Sequence, residues 1–549
     1  MASKTVLIIY VMCFSITYPA FAEVLPGFRI GIELPSQIPV TPAVENALRD
    51  MGIGYINYYV SNVPELEPPE TEINAEMMAL AERLDLDFSI ACHHRDPLPE
   101  TVVASVETYA ERFEGILFDE LAHIRLMSPE FAPVTEEIML ADPAEFTKLE
   151  QAYEATLTGY KKLHDKFVQL GVPRVTATHV FPEFLHLAAR AGFTPCPKIQ
   201  KEFYSSVSLA IGMGAARQYQ RDLWVDVDLW YFYLVPGHPV EEVWSNLLLA
   251  YWLGVDLVYL EGAGYNLIPA GRQGTPFSLM NQITPERYQL TPHGEMLKRF
   301  CREYVPGHPR PWSFRDVKPN IAIIRFEDGD FGQSSWGVNK LYGSSNLAPD
   351  ADTQAWLRLW NVLTHGIMGD DGLAWFKGSV PHPTNDPRYH TDVTPSYLTD
   401  DVALEHTFFV PLNGVVVYDH LAGYDLLKEI PLLFLTGKQV SVETLAAIEL
   451  SLEQGAVCVA WGPLAQKSGL ADWEGGTRIE SRGKGTLVVT DNFASPEAVQ
   501  IYEPYLGSPD EIRYRFGEYE VIFRKVTENS IDVVINSLQE GIQQIENDS

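Results

Sequence analysis

The feature that most limits how this chain folds is a repeated alternation between Phe28 and Tyr304, where short β-rich runs are separated by longer amphipathic ones. The β-rich runs are Phe28–Leu34, Gly54–Val60, Asp87–His94, Gly115–Leu121, Arg174–Val180, Pro197–Tyr204, Leu223–Tyr231 and Asp256–Gly262. Between and after them lie Val44–Met51, Ala75–Leu84, Val102–Arg112, Phe146–Leu170, Phe184–Ala191, Val207–Arg217, Val240–Leu253 and Pro292–Tyr304. In one of these, Val243, Trp244, Leu247, Leu248 and Tyr251 share a face at helical spacing. Eight strand–helix units in roughly 280 residues predict an α/β fold, a (β/α)8 TIM barrel. A dinucleotide-binding sheet is the weaker alternative, because no Gly-rich phosphate loop follows the first strand.

The chain has 549 residues, more than one barrel needs. After the Pro-rich stretch Gly307–Pro311, a second alternation begins with a strand at Asn320–Phe326 and a helix at Thr353–Thr364. Strands at Val415–Asp419 and Leu432–Leu435, a helix at Val442–Glu453 and a strand at Val457–Trp461 complete a flavodoxin-type open sheet. From Arg482 on, Thr486–Thr490, Tyr519–Lys525 and Ile531–Ile535 read as a small antiparallel β-appendage with a frayed tail. The expected divisions are 1–22, 23–311, 312–480 and 481–549. The first is a secretory signal: Lys4, the apolar run Val6–Thr17 and the ending Ala20-Phe21-Ala22 predict cleavage after Ala22 and a secreted or periplasmic protein. That apolar run is too short to span a bilayer.

Charge narrows the partners. With 73 acidic against 40 basic residues, the formal net charge of −33 repels nucleic acid and anionic membrane surfaces. Outside the signal the cysteines are Cys92, Cys196, Cys301 and Cys458, with no C-x-x-C spacing that would suggest a zinc cluster.

Barrel enzymes act at the carboxyl ends of their strands, and alternation assigns each strand residue to a face. In the seventh strand, aliphatic Leu223, Val225, Val227 and Leu229 claim the helix side, which turns Trp224, Asp226, Asp228 and Trp230 inward. The same parity turns Arg29 and Glu33 inward on the first strand, and Lys198, Gln200, Glu202 and Tyr204 on the sixth. On the eighth, Tyr259 and Glu261 face in. Glu120, preceded by Asp119, ends the fourth strand, whose parity is ambiguous. Burying so many acids without partners would cost several kcal/mol each.

Paired carboxylates beside aromatics suit glycosidic cleavage, in which one carboxyl protonates the leaving oxygen and the other attacks the anomeric carbon or activates water. Glu120 is the candidate acid/base, with Glu202 or Glu261 as its partner. Glu33, Tyr59, His94, Asp119, His179, Tyr204, Asp226, Asp228, Trp230 and Tyr265 are candidate substrate contacts. A structural alternative stands beside the catalytic one, since Arg217, Lys198 or Arg29 are available to pair with Glu202 and Glu261. Retention is the favoured stereochemistry, and the carboxyl separation decides it. No metal or cofactor is expected in this reading. A second reading gathers His94, His179 and Glu202 around a divalent ion in a hydrolase or isomerase, and a third is a non-catalytic carbohydrate-binding barrel.

With Asp119-Glu120 at the end of strand four, the chain resembles barrel glycoside hydrolases that hold their acid/base glutamate there, usually as Asn-Glu. Those enzymes carry the nucleophile on strand seven, where this chain offers Asp226 and Asp228 instead of Glu. The order of barrel, flavodoxin-like domain and small β-domain is similar to family 42-type β-galactosidases. In those the middle domain is like an inactive glutamine amidotransferase, an appearance that Val442–Trp461 with Gly455 shares. The resemblance implies a carbohydrate substrate and self-association through that domain.

Overall fold

The structure is a computed structural model that describes residues 27–35, 38–60, 75–92, 99–122, 146–200, 203–229, 238–263, 279–332, 339–368, 408–538 and 541–544. The signal segment, His94, Glu202, Trp230 and Tyr265 lie outside the described residues.

Eight parallel strands close into a barrel in sequential order. They are β1 (Arg29–Pro35), β2 (Tyr55–Val60), β3 (Asp87–Cys92), β4 (Phe113–Phe118), β5 (Val175–His179), β6 (Thr194–Ile199), β7 (Trp224–Asp228) and β8 (Leu257–Glu261). Closure is made by β1 on β8, with Arg29 opposite Leu257 and Ile32 opposite Leu260. The surrounding helices are α1 (Pro42–Met51), α2 (Ala75–Leu84), α3 (Pro99–Thr108), α4 (Leu149–Gln169), α5 (Leu185–Ala191), α6 (Ser205–Gln218), α7 (Val240–Trp252) and α8 (Pro292–Arg299). A hairpin of β9 (Met280–Thr284) and β10 (Arg287–Leu290) precedes α8. Local chemistry sets the ends. Thr41 caps α1 by accepting from the Val44 N–H, Pro42 opens the helix, and Gly52 closes it at φ 75°. Val44, Ala47, Leu48 and Met51 form its buried face.

Inside the barrel the side chains stack in layers. Near the amino-terminal ends, Arg29 pairs with Asp87 and Glu114, while Arg174 pairs with Asp222. Above them Tyr55, Tyr59, Ala91, Leu117, Cys196, Trp224, Leu257 and Tyr259 form an apolar plug separate from the main core. Tyr55 and Trp224 meet edge-to-face at 5.5 Å. The ionisable layer lies beyond the plug, toward the carboxyl ends.

The second sheet has the order β13-β11-β14-β15-β17-β16, from β11 (Ile321–Arg325), β13 (Val415–Asp419), β14 (Leu432–Thr436), β15 (Val457–Trp461), β16 (Arg478–Arg482) and β17 (Gly485–Thr490). It is parallel except for the edge pair β16–β17. The run Thr486–Thr490 thus corrects the sequence expectation: it is not part of the appendage but pairs in parallel with β15, Val457 opposite Thr486. The preceding turn at Gly483 hid this, because the run reads as half of a hairpin and its crossover partner is distant in sequence. The third sheet joins β12 (Leu412–Asn413) to β18 (Glu511–Phe516), β19 (Tyr519–Thr527), β20 (Ser530–Ser537) and β21 (Gly541–Gln544).

Helix α6 explains how the second sheet docks. Residues Ser205 to Ala216 are buried all around, because the helix lies between the barrel and β13. A Cβ at Gly214 would sit 1.7 Å from the Val417 carbonyl, so only glycine permits the approach. Beside it, the Arg217 guanidinium donates to the Tyr418 hydroxyl at 2.7 Å.

Candidate active site

At the carboxyl end of β6, Lys198 is fully buried and its ammonium is the centre of the site. Its Nζ lies 2.9 Å from Asp119 Oδ1, 3.1 Å from Glu120 Oε1 and 3.7 Å from Asp226 Oδ2. It also donates to Glu261 Oε2. Burial works against a charged amine, but Asp119, Glu120, Glu261 and Asp226 outweigh it and hold Lys198 well above the ordinary lysine range. Single oxygens of Asp119, Asp226 and Glu261 lie within 4.8 Å of one another, the spacing of a small cation cage. An ammonium stands among them.

Strand parity brings most of these groups in. Leu117 belongs to the lumen plug and Phe118 packs outward on Phe167 at 5.6 Å, so Asp119 follows inward. Alternation alone would send Glu120 out. Instead its backbone takes φ 51°, and its carboxylate reaches the same ammonium as its neighbour's. A non-glycine residue in the left-handed region costs on the order of 1 kcal/mol, a strain of the kind held at functional sites. Thr178 of β5 fixes the turn: its hydroxyl donates to Asp119 Oδ1 at 2.7 Å and accepts from the Glu120 N–H at 2.9 Å. Gln200, just past β6, has a similar φ of 67°.

Around this centre burial and like charge push several carboxyls up. Burial, then the charges of Glu261 and Asp119, pushes Glu33 well above the carboxylate range. Burial and Glu261 do the same to Asp226, against the pull of Lys198, and the Tyr259 hydroxyl donates to Asp226 at 2.9 Å. Tyr59 feels Asp119, Glu33, Glu261 and Glu120, but burial is the chief cause of its raised pKa. Asp228, the last residue of β7, is buried and acts on both Glu33 and Asp226.

The site therefore unites Glu33, Tyr59, Asp119, Glu120, Asp226, Asp228 and Glu261. Tyr204 differs from its expected setting: β6 ends at Ile199, and Tyr204 is the residue that opens α6, its ring against Phe203. The Pro-containing run Thr194–Ile199 is the strand, and Phe203 and Tyr204 are not part of it. For Glu261 the pairing alternatives resolve. Glu261 is paired with Lys198, whereas Arg29 serves the base of the barrel and Arg217 the second sheet. His179 ends β5 and is buried, and burial lowers its pKa to about 4.

Glu183 was not singled out from sequence, and Gln200 was read only as an inward-facing residue. Glu183, in the turn after β5, is 1% exposed, and burial followed by the charge of Glu120 pushes it well up. Neither of its oxygens has a well-formed hydrogen bond among the described residues, and the same holds for the side-chain amide of Gln200. A glutamate flanked by Phe181, Pro182 and Phe184 just past a barrel strand was the available signal for Glu183. Buried polar groups without a protein partner are met by water, an ion or a ligand. Cys92, Cys196, Cys301 and Cys458 are free thiols, and among the described residues no helix is long and apolar enough to cross a membrane.

No protein-family model and no curated protein sequence matches the chain. Among solved structures it is similar to a β-galactosidase from the psychrophilic Marinomonas ef1, with 10% identity and a TM-score of 0.51 over 90% of this chain and 95% of that one. It also aligns with an exo-β-1,4-mannosidase from Opitutaceae bacterium strain TAV5, at 9% identity and TM-score 0.44 over 87% and 95% of the two chains. A Thermomonospora fusca β-mannanase aligns at 10% identity and TM-score 0.31 over 50% of this chain and 89% of its own. The first likeness is one of fold, a TIM barrel with further domains after it.

Proposed function

We propose that this chain is an exported glycoside hydrolase that cleaves a poly- or oligosaccharide by paired-carboxylate catalysis, with Glu120 as acid/base and Glu261 as the second carboxylate. The observation that carries the proposal is the sharing of one buried ammonium by Glu120 and Glu261 at the ends of β4 and β8. Export follows from the reading of residues 1–22. The shared fold with a β-galactosidase supports the reaction class without fixing the sugar.

Glu120 has 15% of its side chain exposed and Glu261 7%, against none for Lys198. These two are thus the carboxyls of the cluster that a ligand meets first. In this scheme Glu120 gives its proton to the leaving oxygen while Glu261 attacks the anomeric carbon. A water then displaces the sugar from Glu261, with Glu120 taking the water's proton. Two oxygens that reach the same ammonium are at most ~6 Å apart, two hydrogen-bond lengths. That closest approach is compatible with the retaining separation of about 5–5.5 Å, the stereochemistry proposed here. In this reading Lys198 offsets the charge of the cluster, and Glu33, Glu183 and Gln200 bind hydroxyls.

A reducing-end assay of the mature protein over a panel of β-linked galactosides, mannosides and glucans, with and without EDTA, tests the reading. Turnover unaffected by EDTA and lost in both Glu120→Gln and Glu261→Gln is expected. Turnover that disappears with EDTA and returns with one divalent ion would replace it by the metal reading.

A further inference from the structure

The turn that carries Glu183 is held by the second domain. Helix α5 begins after Phe184, which has φ 55° and provides no side-chain cap. The cap comes instead from Glu327, in the loop after β11. Its Oε1 accepts from the His186 N–H at 3.0 Å and its Oε2 from the Leu187 N–H at 2.7 Å. His186 Nδ1 lies 3.5 Å from the same carboxylate, and the other ring nitrogen is 2.8 Å from the Val417 carbonyl of β13. Two aromatic stacks flank the cap, Phe181 on Phe331 and Phe184 on Tyr342, each at 4.8 Å. Gly329 packs on the second of these stacks: it has φ 79°, and a Cβ there would come 3.0 Å from the Phe184 ring.

Burial would raise Glu327, but its bonds to His186 and that ring's charge outweigh burial and hold it below the usual carboxylate range. The carboxylate also acts electrostatically on both His179 and Glu183. A barrel that needed only a stable helix could supply an Asp, Ser or Thr cap locally. This one takes its cap from a residue 140 positions away.

We propose that Glu327 is a positioning residue for the barrel's active face, fixing the β5–α5 turn so that His179 and Glu183 present a sugar-binding subsite beside Glu120. The proposal rests on the glycoside hydrolase reading, and makes the second domain a working part of the site.

The test compares wild type, Glu327→Ala and Glu327→Gln on the glycoside of the panel that wild type cleaves fastest, at a temperature where all three are folded by circular dichroism. Amide hydrogen exchange across residues 180–190 is followed alongside. Expected are exchange at least tenfold faster at His186 and Leu187 in Glu327→Ala and kcat/KM reduced tenfold or more. Glu327→Gln, which keeps an acceptor oxygen, should recover part of both. Exchange that stays unchanged, or faster exchange with kcat/KM within twofold of wild type, would overturn the positioning role alone. A wild type inert across the whole panel would overturn the functional reading and the subsite with it.

Discussion

The barrel and the second sheet solve the same packing problem in opposite ways. Both are built of parallel strands buried on both faces, which favours continuous aliphatic runs. The second sheet complies in its centre, with Ile321–Arg325 reading IAIIR and Leu432–Thr436 reading LLFLT, and only its edge strand Val415–Asp419 ends on a buried acid. The barrel does not: Trp224–Asp228 reads WVDVD and Leu257–Glu261 reads LVYLE, with acids at equally buried positions. Packing alone gives no reason for those acids, and burying them is costly. The barrel bears that cost only beyond the Tyr55–Trp224 plug, at the end where such barrels act. The contrast separates a region shaped by stability from one shaped by chemistry.

The largest effect should come from substituting across this divide. Glu261→Gln should lower kcat/KM by ~10²–10⁴ with little change in melting temperature, since general acid–base or nucleophilic groups act at that scale. Leu433→Ala, in the centre of the second sheet, should do the reverse. It should cost about 2–5 kcal/mol in denaturant unfolding while leaving the kcat of the folded fraction within twofold. A Leu433→Ala protein of normal stability, or a Glu261→Gln protein of normal activity, would break the comparison.

How much of this was legible in the sequence follows from the same contrast. The strands Val415–Asp419 and Val457–Trp461 match their expected bounds, because short valine-rich runs bounded by turn residues signal themselves. The inward acids of β7 and β8 were readable from alternation, as period-2 parity needs no tertiary knowledge. Glu120 was placed by its position at a strand end, yet its backbone reversal was not visible, since nothing about Asp-Glu requires φ 51°. Lys198 was seen as an inward residue and a pairing candidate. Its role as the hub of four carboxylates depends on β4, β6, β7 and β8 meeting around the lumen, which no local pattern encodes. Glu327 was unreadable for the same reason, its partners being in another domain.

Smaller effects sharpen the comparison. An ammonium favours the charged form of the carboxylates around it. Lys198→Met should therefore move the acid limb of the kcat/KM profile to higher pH by about one unit or more, measured from pH 4 to 9; an unmoved limb would make Lys198 a packing residue. The smallest effect concerns stability. Glu33 has a folded pKa raised well above its unfolded value, so the native state holds a proton that the unfolded chain releases above about pH 4. Its burden is absent in acid and grows as pH rises toward the folded value. Glu33→Gln should then raise the melting temperature at pH 8 by a few degrees and by almost nothing at pH 4. An equal shift at both pH values would show that charge is not the cause.

The division of labour between Glu120 and Glu261 is tested most directly by leaving-group dependence. The kcat/KM values of wild type and Glu120→Gln, which report the step that breaks the glycosidic bond and not the later attack of water, would be compared over aryl glycosides of the preferred sugar, from phenyl to dinitrophenyl. Loss of the acid should fall hardest on phenyl, where the oxygen needs a proton, and nearly vanish on dinitrophenyl, where it does not. A Glu120→Gln defect of the same size on every leaving group would contradict the assignment of Glu120 as the acid.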